Sequence, residues 1–335
     1  MTRYLAFLYH VTVMEHVLAI IREDLQRVEE EFRRRLKSRV PLITQIAEHL
    51  VKSGGKRLRP AFLILSAKLC GYEGDAHIPL AGAIEFIHTA TLLHDDVIDN
   101  AEVRRGNPSA NTLWGNEASV LVGDFLFSRS FSMMVEVGDL RILQVMSHAT
   151  TLLAEGETFE LVKTADLAIT EEENLELIVQ KTASLISAAT RIGAILGGVP
   201  REQEEALAEY GLKVGIAFQL VDDCLDYIGE EEALGKKVGT DIREGKITLP
   251  LIYTLKVCSE AERRQIGEVV LSSEVQEGDL QTVIQLVDRY GGVPYAMKRA
   301  RTFAEEGKSQ LEAFPPSPER EALLALADYV VSRTY

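Results

Sequence analysis

The 335-residue sequence predicts an all-α protein. Apolar residues recur at intervals of three and four along most of the chain, which is the period of an amphipathic helix. No segment keeps the strict alternation of apolar and polar residues that is typical of a half-buried strand. Glycine, proline and capping residues divide the apolar segments into separate helices. We therefore predict a helical protein in which strands are nearly absent.

Composition and charge narrow the class of protein. Apolar residues make up 46% of the chain, which is ample for a core. The formal net charge of −15 argues against a nucleic-acid surface, which needs a basic patch, but it allows small phosphate ligands held by local cations. Three dispersed cysteines, Cys70, Cys224 and Cys258, are too few for a disulfide framework and fit a reducing, cytoplasmic compartment.

The chain is expected to form a single domain over residues 14–335. The regular amphipathic pattern begins at Met14, so residues 1–13 are interpreted as an N-terminal extension. The apolar start of the chain lacks the small-residue cleavage site of a secretory signal. No run reaches the roughly 18–20 uninterrupted apolar residues that a membrane span needs.

The first helices are predicted over residues 14–38 and 41–55. A turn follows with two long cations, Lys56 and Arg59, and a further helix begins near Pro60. Two glycines, two cations and a helix N-terminus suit an anion. A capped helix with a solvated basic end explains the turn equally well.

The next predicted helix, residues 78–100, ends in three carboxylates, Asp95, Asp96 and Asp99. The first and third share a helix face, and Asp96 lies about 100° round. Like charges at this spacing repel each other, and a hard cation such as Mg²⁺ offsets that cost. For one such cluster, a helix end with solvated acids is an equally good interpretation.

The same spacing recurs in Asp222, Asp223 and Asp226, at the end of an apolar helix predicted over residues 201–228. Acidic residues are rarely buried unless they are paired. Two facing triads would make one anionic cavity, suited to several Mg²⁺ ions and a diphosphate.

The remaining segments supply cations and apolar bulk. Arg104 and Arg105 offer forked donors for phosphate oxygens. Helices are predicted over residues 109–137, 139–164 and 171–198. The first of these carries bulky residues that are ordinarily core but also suit a tunnel lining: Phe125, Phe131 and Met134. The third carries Lys181 and Thr182, and a lid-like loop over 230–247 carries Lys236, Lys237 and Lys246.

The sequence resembles the trans-isoprenyl diphosphate synthases, or polyprenyl synthetases, from about Leu42 onwards. The motifs that carry the resemblance follow the family's order: Gly54–Pro60, both aspartate motifs, Arg104–Gly106, Gly123–Phe125, Lys181–Thr182, Phe218–Gln219 and Gly235–Asp241. The resemblance implies an isoprenoid-synthase-type helical bundle around a central deep cavity. It also implies a transferase that condenses isopentenyl diphosphate with an allylic diphosphate, farnesyl or geranyl. About three Mg²⁺ ions are implied per active site, with Mn²⁺ as a substitute.

The resemblance also implies roles for single residues. The six aspartates hold metal. Isopentenyl diphosphate is bound by Lys56, Arg59, His88 and Arg105. The allylic diphosphate is bound by Arg104, Lys181, Lys246 and one of Lys236 and Lys237, a doubled lysine where the family usually has one. Thr182 and Gln219 face the allylic cation.

Product length follows from two small residues, Ala90 and Thr91, just before the first motif. A bulky aromatic group here gives short products in the family. The resemblance therefore implies a long, octaprenyl-like all-trans product for quinone side chains, stopped deeper down by Phe125, Phe131 or Met134. A homodimer is expected, as is delivery of the product to a membrane with which the enzyme associates loosely.

Three alternatives stay open at this point. A class I terpene cyclase shares the fold and one aspartate motif but needs no isopentenyl diphosphate site. A geranylgeranyl diphosphate synthase would make a shorter product. A catalytically silent partner subunit would be expected to lose the aspartates and cations that this chain keeps.

Overall fold

The computed structural model of the protein describes residues 14, 17–52, 57–104, 106–229, 238–272 and 274–333. The proposed extension over residues 1–13 lies outside the described residues, and so do four predicted site residues: Lys56, Arg105, Lys236 and Lys237.

Helices dominate the described chain, as predicted. In order they are α1 Arg22–Arg35, α2 Pro41–Lys52, α3 Leu58–Leu69, α4 His77–Ile98, α5 Ala110–Trp114, α6 Asn116–Val137, α7 Leu140–Lys163, α8 Glu171–Ile178, α9 Ser184–Gly197, α10 Arg201–Ile228, α11 Thr240–Arg243, α12 Leu249–Val257, α13 Glu260–Val270, α14 Glu277–Tyr290, α15 Gly292–Gln310 and α16 Pro318–Ser332. A π-helical turn, Val179–Ala183, joins α8 to α9, and a 3-10 turn, Leu311–Ala313, follows α15. Within the described ranges, the strands are the two short partners of an antiparallel hairpin, β1 Val103–Arg104 and β2 Asn107–Pro108.

The centre of the bundle is built from α4, α6, α7, α9 and α10. Helix α4 packs along α6, α9 lies between α3, α7 and α10, and α15 covers the other side of α10. Glycine permits the closest of these approaches. A Cβ on Gly193 of α9 would lie 2.6 Å from the Ala67 nitrogen in α3, and one on Gly211 of α10 would lie 2.8 Å from the Ile186 carbonyl oxygen in α9. The buried apolar side chains form one continuous core.

Local signals in the sequence explain where several helices begin and end. Thr170 and Glu173 form a reciprocal capping box at the start of α8, which confirms the predicted cap. Pro41 is the first residue of α2, also as predicted. Helix α4 ends at Ile98, so that the first aspartate motif occupies its last turn.

The prediction of one helix over residues 109–137 was wrong. Gly115 adopts φ +84° and ψ 162°, a conformation that side-chain-bearing residues rarely adopt, and it divides the segment into α5 and α6. Helix α6 is also long and apolar enough to span a membrane by length and composition. One such helix is weak evidence for a membrane protein, because the core helix of a soluble protein passes the same test.

Candidate active site

A cavity of about 400 Å³ lies among α4, α7, α8, the π turn and α10, beside residues 241–248. Its charged lining includes Arg59, Asp95, Asp99, Arg104, Glu157, Glu160, Lys181, Asp222, Asp223 and Lys246. Its apolar lining includes Leu92, Ile169, Leu177, Ile178, Phe218 and Ile247. The two aspartate motifs therefore face one cavity, although they are more than 100 residues apart in the chain.

The three carboxylates of the first motif lie on two faces of α4, as the helical period predicts. Asp95 and Asp99 line the cavity, whereas Asp96 is fully buried behind them. The Nε of Arg104 donates to Asp96 Oδ1 at 2.5 Å. Arg104 itself lines the cavity, so the motif fixes a guanidinium group at the site.

The second motif is held by backbone and cation contacts. Asp222 and Asp223 line the cavity, whereas Asp226 is buried and accepts a hydrogen bond from the Asp241 N–H at 3.0 Å. This bond ties the end of α10 to the segment that carries Lys246. Arg333, from the far end of the chain, lies 2.8 Å from Asp222 Oδ1.

Two lysines enter the cavity and are held there by carboxylates. Lys181 Nζ pairs with Glu160 and lies 3.0 Å from Glu157 Oε2. Lys246 Nζ contacts Asp99 at 3.1 Å and Glu244 at 2.8 Å. Burial alone lowers the pKa of each lysine, but the surrounding carboxylates outweigh it, and both pKa values are raised. Both lysines are therefore charged at neutral pH and placed to meet an anion.

A chain of hydrogen bonds crosses the site from the π turn to α10. Thr182 Oγ1 donates to Gln219 Oε1 at 2.9 Å, and Gln219 Nε2 donates to Asp223 Oδ1 at 2.9 Å. The π turn that carries Lys181 and Thr182 is a form of helix often found at functional sites. Hydroxyl and amide oxygens are thereby fixed beside Lys181.

The carboxylates fit a divalent metal ion. Asp95 Oδ1 and Asp96 Oδ2 are buried, and no donor in the described part of the chain hydrogen-bonds to either atom. Burial, with the nearby Glu157 carboxylate, raises the pKa of Asp95 to about 7, and burial raises the pKa of Asp96. A cation bound here would relieve both costs.

The geometry also shows what a metal ion would still require. No group of three His, Cys, Asp or Glu side chains is drawn together as a ready-made metal site in the described residues. Mg²⁺ commonly takes only one or two carboxylates and completes its shell with water and substrate phosphates. The arrangement therefore suits an ion that binds together with a phosphate ligand.

Comparison with known proteins decides the family. A family model described as polyprenyl synthetase matches residues 40–287. The chain belongs to the polyprenyl synthetase family.

Similar proteins match this family member over nearly its whole length. Octaprenyl diphosphate synthase of Escherichia coli (strain K12) is 41% identical over 324 residues, covering 96% of this chain and 99% of that one. A polyprenyl synthase structure from Caulobacter crescentus CB15, complexed with calcium and isoprenyl diphosphate, has a TM-score of 0.93 at 41% identity, covering 96% and 98% of the two chains. A decaprenyl diphosphate synthase structure from Rhodobacter capsulatus has a TM-score of 0.92 at 43% identity, covering 96% and 99%.

Two of the four residues predicted to bind isopentenyl diphosphate, Arg59 and His88, lie within the described part of this polyprenyl synthetase. Both line the cavity. His94, to which no role was given, contacts the Val120 carbonyl oxygen at 3.2 Å and does not belong to the cavity lining. Of these two histidines, His88 is therefore the one that faces the cavity.

The predicted chain-length residues are distributed over two helices. Thr91 lines the cavity, whereas Ala90 is fully buried and lies outside the lining. Phe125, Phe131 and Met134 lie on α6, the helix packed along α4, and none of them reaches the cavity. A tail stopped by these three residues would first have to pass between α4 and α6.

Sequence reasoning gave no role to Glu157, Glu160 or Arg333. The two glutamates are three residues apart on α7 and so share a helix face. That spacing could have predicted an acidic face on this helix. No sequence pattern predicts the position of Arg333, because its partner on α10 is more than 100 residues away in the chain.

Proposed function

We propose that the chain catalyses sequential head-to-tail condensation of isopentenyl diphosphate with an allylic diphosphate, giving a long-chain all-trans polyprenyl diphosphate of octaprenyl-like length. The observation that carries the proposal is the convergence of both aspartate motifs, two lysines and Arg104 on one cavity whose lining also includes apolar side chains. Family membership and the long-chain relatives support it.

Each substrate has its own set of cations. Arg104, Lys181 and Lys246 bind the allylic diphosphate, together with one of Lys236 and Lys237. Arg59, His88, Lys56 and Arg105 bind isopentenyl diphosphate. In the described set, Lys181 and Lys246 exchange their carboxylate partners for phosphate oxygens, which are strong acceptors of charge-assisted hydrogen bonds.

Mg²⁺, about three ions per site with Mn²⁺ as a substitute, would be held by Asp95, Asp99, Asp222 and Asp223, with Asp96 and Asp226 supporting them. When bound, these ions stabilise the negative charge that develops on the leaving diphosphate.

The chain's own residues then govern the organic steps. Thr182 and Gln219 direct oxygen dipoles at the allylic cation, and their mutual hydrogen bond fixes both groups before reaction. The apolar lining keeps out water that would otherwise trap the cation. Cleavage of the allylic C–O bond releases diphosphate and leaves the allylic cation. The double bond of isopentenyl diphosphate attacks this cation to form a C–C bond, and the new cation loses a proton to the released diphosphate, which restores an allylic product ready for another cycle.

The proposed activity is tested with purified protein, farnesyl diphosphate, labelled isopentenyl diphosphate and Mg²⁺, with mass analysis of the products. A ladder ending in a long all-trans polyprenyl diphosphate is expected. Release of a cyclic hydrocarbon would identify a terpene cyclase, a C20 end product a geranylgeranyl diphosphate synthase, and no product a silent subunit.

Product length is tested at the cavity wall. Thr91→Phe should shorten the product, because a phenyl ring would fill space that Thr91 borders. Ala90→Phe should act in the same direction at greater cost in stability, because Ala90 is fully buried and a larger side chain overpacks the core. Unchanged product length in both folded variants contradicts a tail path along α4.

We also propose that the enzyme is a cytoplasmic homodimer that delivers its product to a membrane. Leu121 and Val135 are 67% and 61% exposed, and their spacing of 14 places them on one face of α6. Leu121→Glu is expected to give monomers in sedimentation analysis. Leu271→Glu, at an equally exposed position after α13, is the control that should leave the assembly unchanged.

A further inference from the structure

The last described helix, α16, delivers one arginine to the second aspartate motif. Arg333 follows Ser332 at the end of α16, and its side chain is only 6% exposed. The guanidinium lies 3.9 Å above the centre of the Phe218 ring, and Nη2 donates to the Phe218 carbonyl oxygen at 2.6 Å. These two contacts fix the group against α10, one turn before Asp222.

The third contact reaches into the cavity lining. Arg333 Nη1 lies 2.8 Å from Asp222 Oδ1, yet the Asp222 side chain remains 45% exposed. Arg333 engages one oxygen of this carboxylate, and Asp222 still lines the cavity. The guanidinium therefore places a positive charge next to the carboxylate and leaves Asp222 accessible from the cavity.

We propose that Arg333 is a positioning residue that makes metal binding at the second aspartate motif depend on the diphosphate. The proposal rests on the function proposed above and deepens it. In the ligand-free protein the guanidinium supplies the positive charge that keeps Asp222 in place beside Asp223 and Asp226.

Electrostatics gives the direction of the coupling. A fixed positive charge beside a carboxylate repels a second cation, so Arg333 weakens the binding of a lone divalent ion. Diphosphate itself is strongly negative, so the same guanidinium attracts it, and a diphosphate at the site offsets the repulsion between the guanidinium and the divalent ions. Arg333 thus favours the ion that arrives with its diphosphate over the ion alone.

Loss of the Arg333 charge should therefore change the two affinities in opposite directions. A simple loss of packing would not raise one affinity while lowering the other. In Arg333→Gln, affinity for Mn²⁺ alone, followed by electron paramagnetic resonance of the free ion, should rise about three- to ten-fold. Affinity for inorganic pyrophosphate at saturating Mn²⁺, measured by calorimetry, should fall by a similar factor. Arg333→Lys keeps the charge and should bind both probes within about two-fold of the unaltered protein.

Two further variants separate the mechanism from a general loss of structure. Arg320→Gln removes an arginine from the same helix, where its Nε donates to the Leu311 carbonyl oxygen, and it should leave both affinities unchanged. In an Asp222→Asn background, Arg333→Gln should raise Mn²⁺ affinity less than it does in the unaltered protein, because the ion no longer binds the carboxylate that lies against the guanidinium.

Failure of the proposed function and failure of the Arg333 proposal give different results in these experiments. If the unaltered protein binds neither Mn²⁺ nor pyrophosphate, the proposed function fails. If it binds both, but folded Arg333→Gln binds Mn²⁺ equally or more weakly, this inference alone is wrong. Should Arg333→Gln fail to fold, an Arg333→Lys variant that loses the preference for Mn²⁺ with pyrophosphate would also refute it.

Discussion

Asp95 combines burial, negative neighbours and a proposed metal-binding role in one side chain. Burial is the larger cause of its raised pKa of about 7, and Glu157 adds to it. The carboxylate is therefore half protonated near neutral pH when no metal is present. Ionising it in the folded protein costs free energy that bound cations recover.

This pKa sets how stability changes with pH. The folded-state pKa is above the ordinary value of about 3.9, so the contribution of Asp95 to stability is fully present below pH 4 and is lost as pH rises towards 7. In EDTA at pH 8, Asp95→Asn should therefore raise the free energy of unfolding by about 2 kcal/mol. Urea denaturation at pH 5 and pH 8 measures the effect. In Mg²⁺, the same variant should have lost its activity.

The exposed Asp124, on α6, provides the control for this prediction. Asp124→Asn should change the free energy of unfolding by less than about 0.5 kcal/mol at either pH value, since its side chain is 61% exposed and its contact with His94 lies at the surface. Equal stability of Asp95→Asn and the unaltered protein at pH 8 would show that Asp95 ionises without cost.

Ala165 is strained beside the active site. It adopts φ +60°, which disfavours any residue with a Cβ, and its N–H donates to the Gly245 carbonyl oxygen at 2.8 Å, next to Lys246. Ala165→Gly should stabilise the protein by about 0.5–1 kcal/mol in urea denaturation, because relief of strain exceeds the added freedom of the unfolded chain. Ala168→Gly, at a negative φ, should instead destabilise it.

Single residues were predictable where they follow the helical period. Spacing placed Asp95 and Asp99 on one face, and the structure confirms that face as part of the cavity. Spacing did not reveal that Asp226 turns towards the Asp241 backbone, because that contact depends on how α11 folds back. The partner of Asp222 depends on the packing of α16 and was equally inaccessible.

At the scale of elements, the π turn depends on a close approach of α7. A Cβ on Gly156 would lie 2.8 Å from the Gln180 Cβ and 3.0 Å from the Lys181 Cγ. Gly156→Ala should push the turn away, destabilise the fold by about 1–3 kcal/mol, and weaken allylic diphosphate binding about ten-fold. The KM for farnesyl diphosphate and the urea midpoint are the measurements.

Gly278, in the first turn of α14, is the matched control for this substitution. A Cβ there would meet no atom within 4 Å, so Gly278→Ala should leave both quantities essentially unchanged. An unaltered KM in Gly156→Ala would mean that the position of the π turn does not govern substrate binding.

Element boundaries were predictable where a capping residue or proline marks them, as at Thr170 and Pro41. The break at Gly115 was missed because a lone glycine also occurs inside helices, and only its backbone angles show that the helix stops. The π turn was missed because its extra residue leaves the apolar pattern of α8 and α9 almost continuous.

At the scale of the whole molecule, the site brings distant parts of the chain together through charge. Mg²⁺ and inorganic pyrophosphate together should raise the midpoint of thermal unfolding by several degrees, since a ligand at 100 times its Kd contributes about 2.7 kcal/mol. Either component alone should raise it less than half as much, measured by calorimetry. A shift that is merely the sum of the separate shifts would contradict joint binding.

The fold class was predictable because helical periodicity runs through the whole chain, and the motif order identified the family. The contacts between residues that are distant in the chain were not predictable. Lys246 meets Asp99, and Arg333 meets Asp222, only after α10, α11 and α16 have packed. Such contacts join residues more than 100 positions apart, and no local pattern records them.

The modest size of the cavity has a consequence for elongation. About 400 Å³ is at the lower end of the range for pockets that hold drug-sized ligands, and a finished eight-unit tail is larger than such a ligand. On the proposed path along α4 and α6, each added isoprene unit displaces side chains at that interface. Later additions should proceed more slowly than early ones, and warming, which loosens that interface, should shift the mixture of lengths upward.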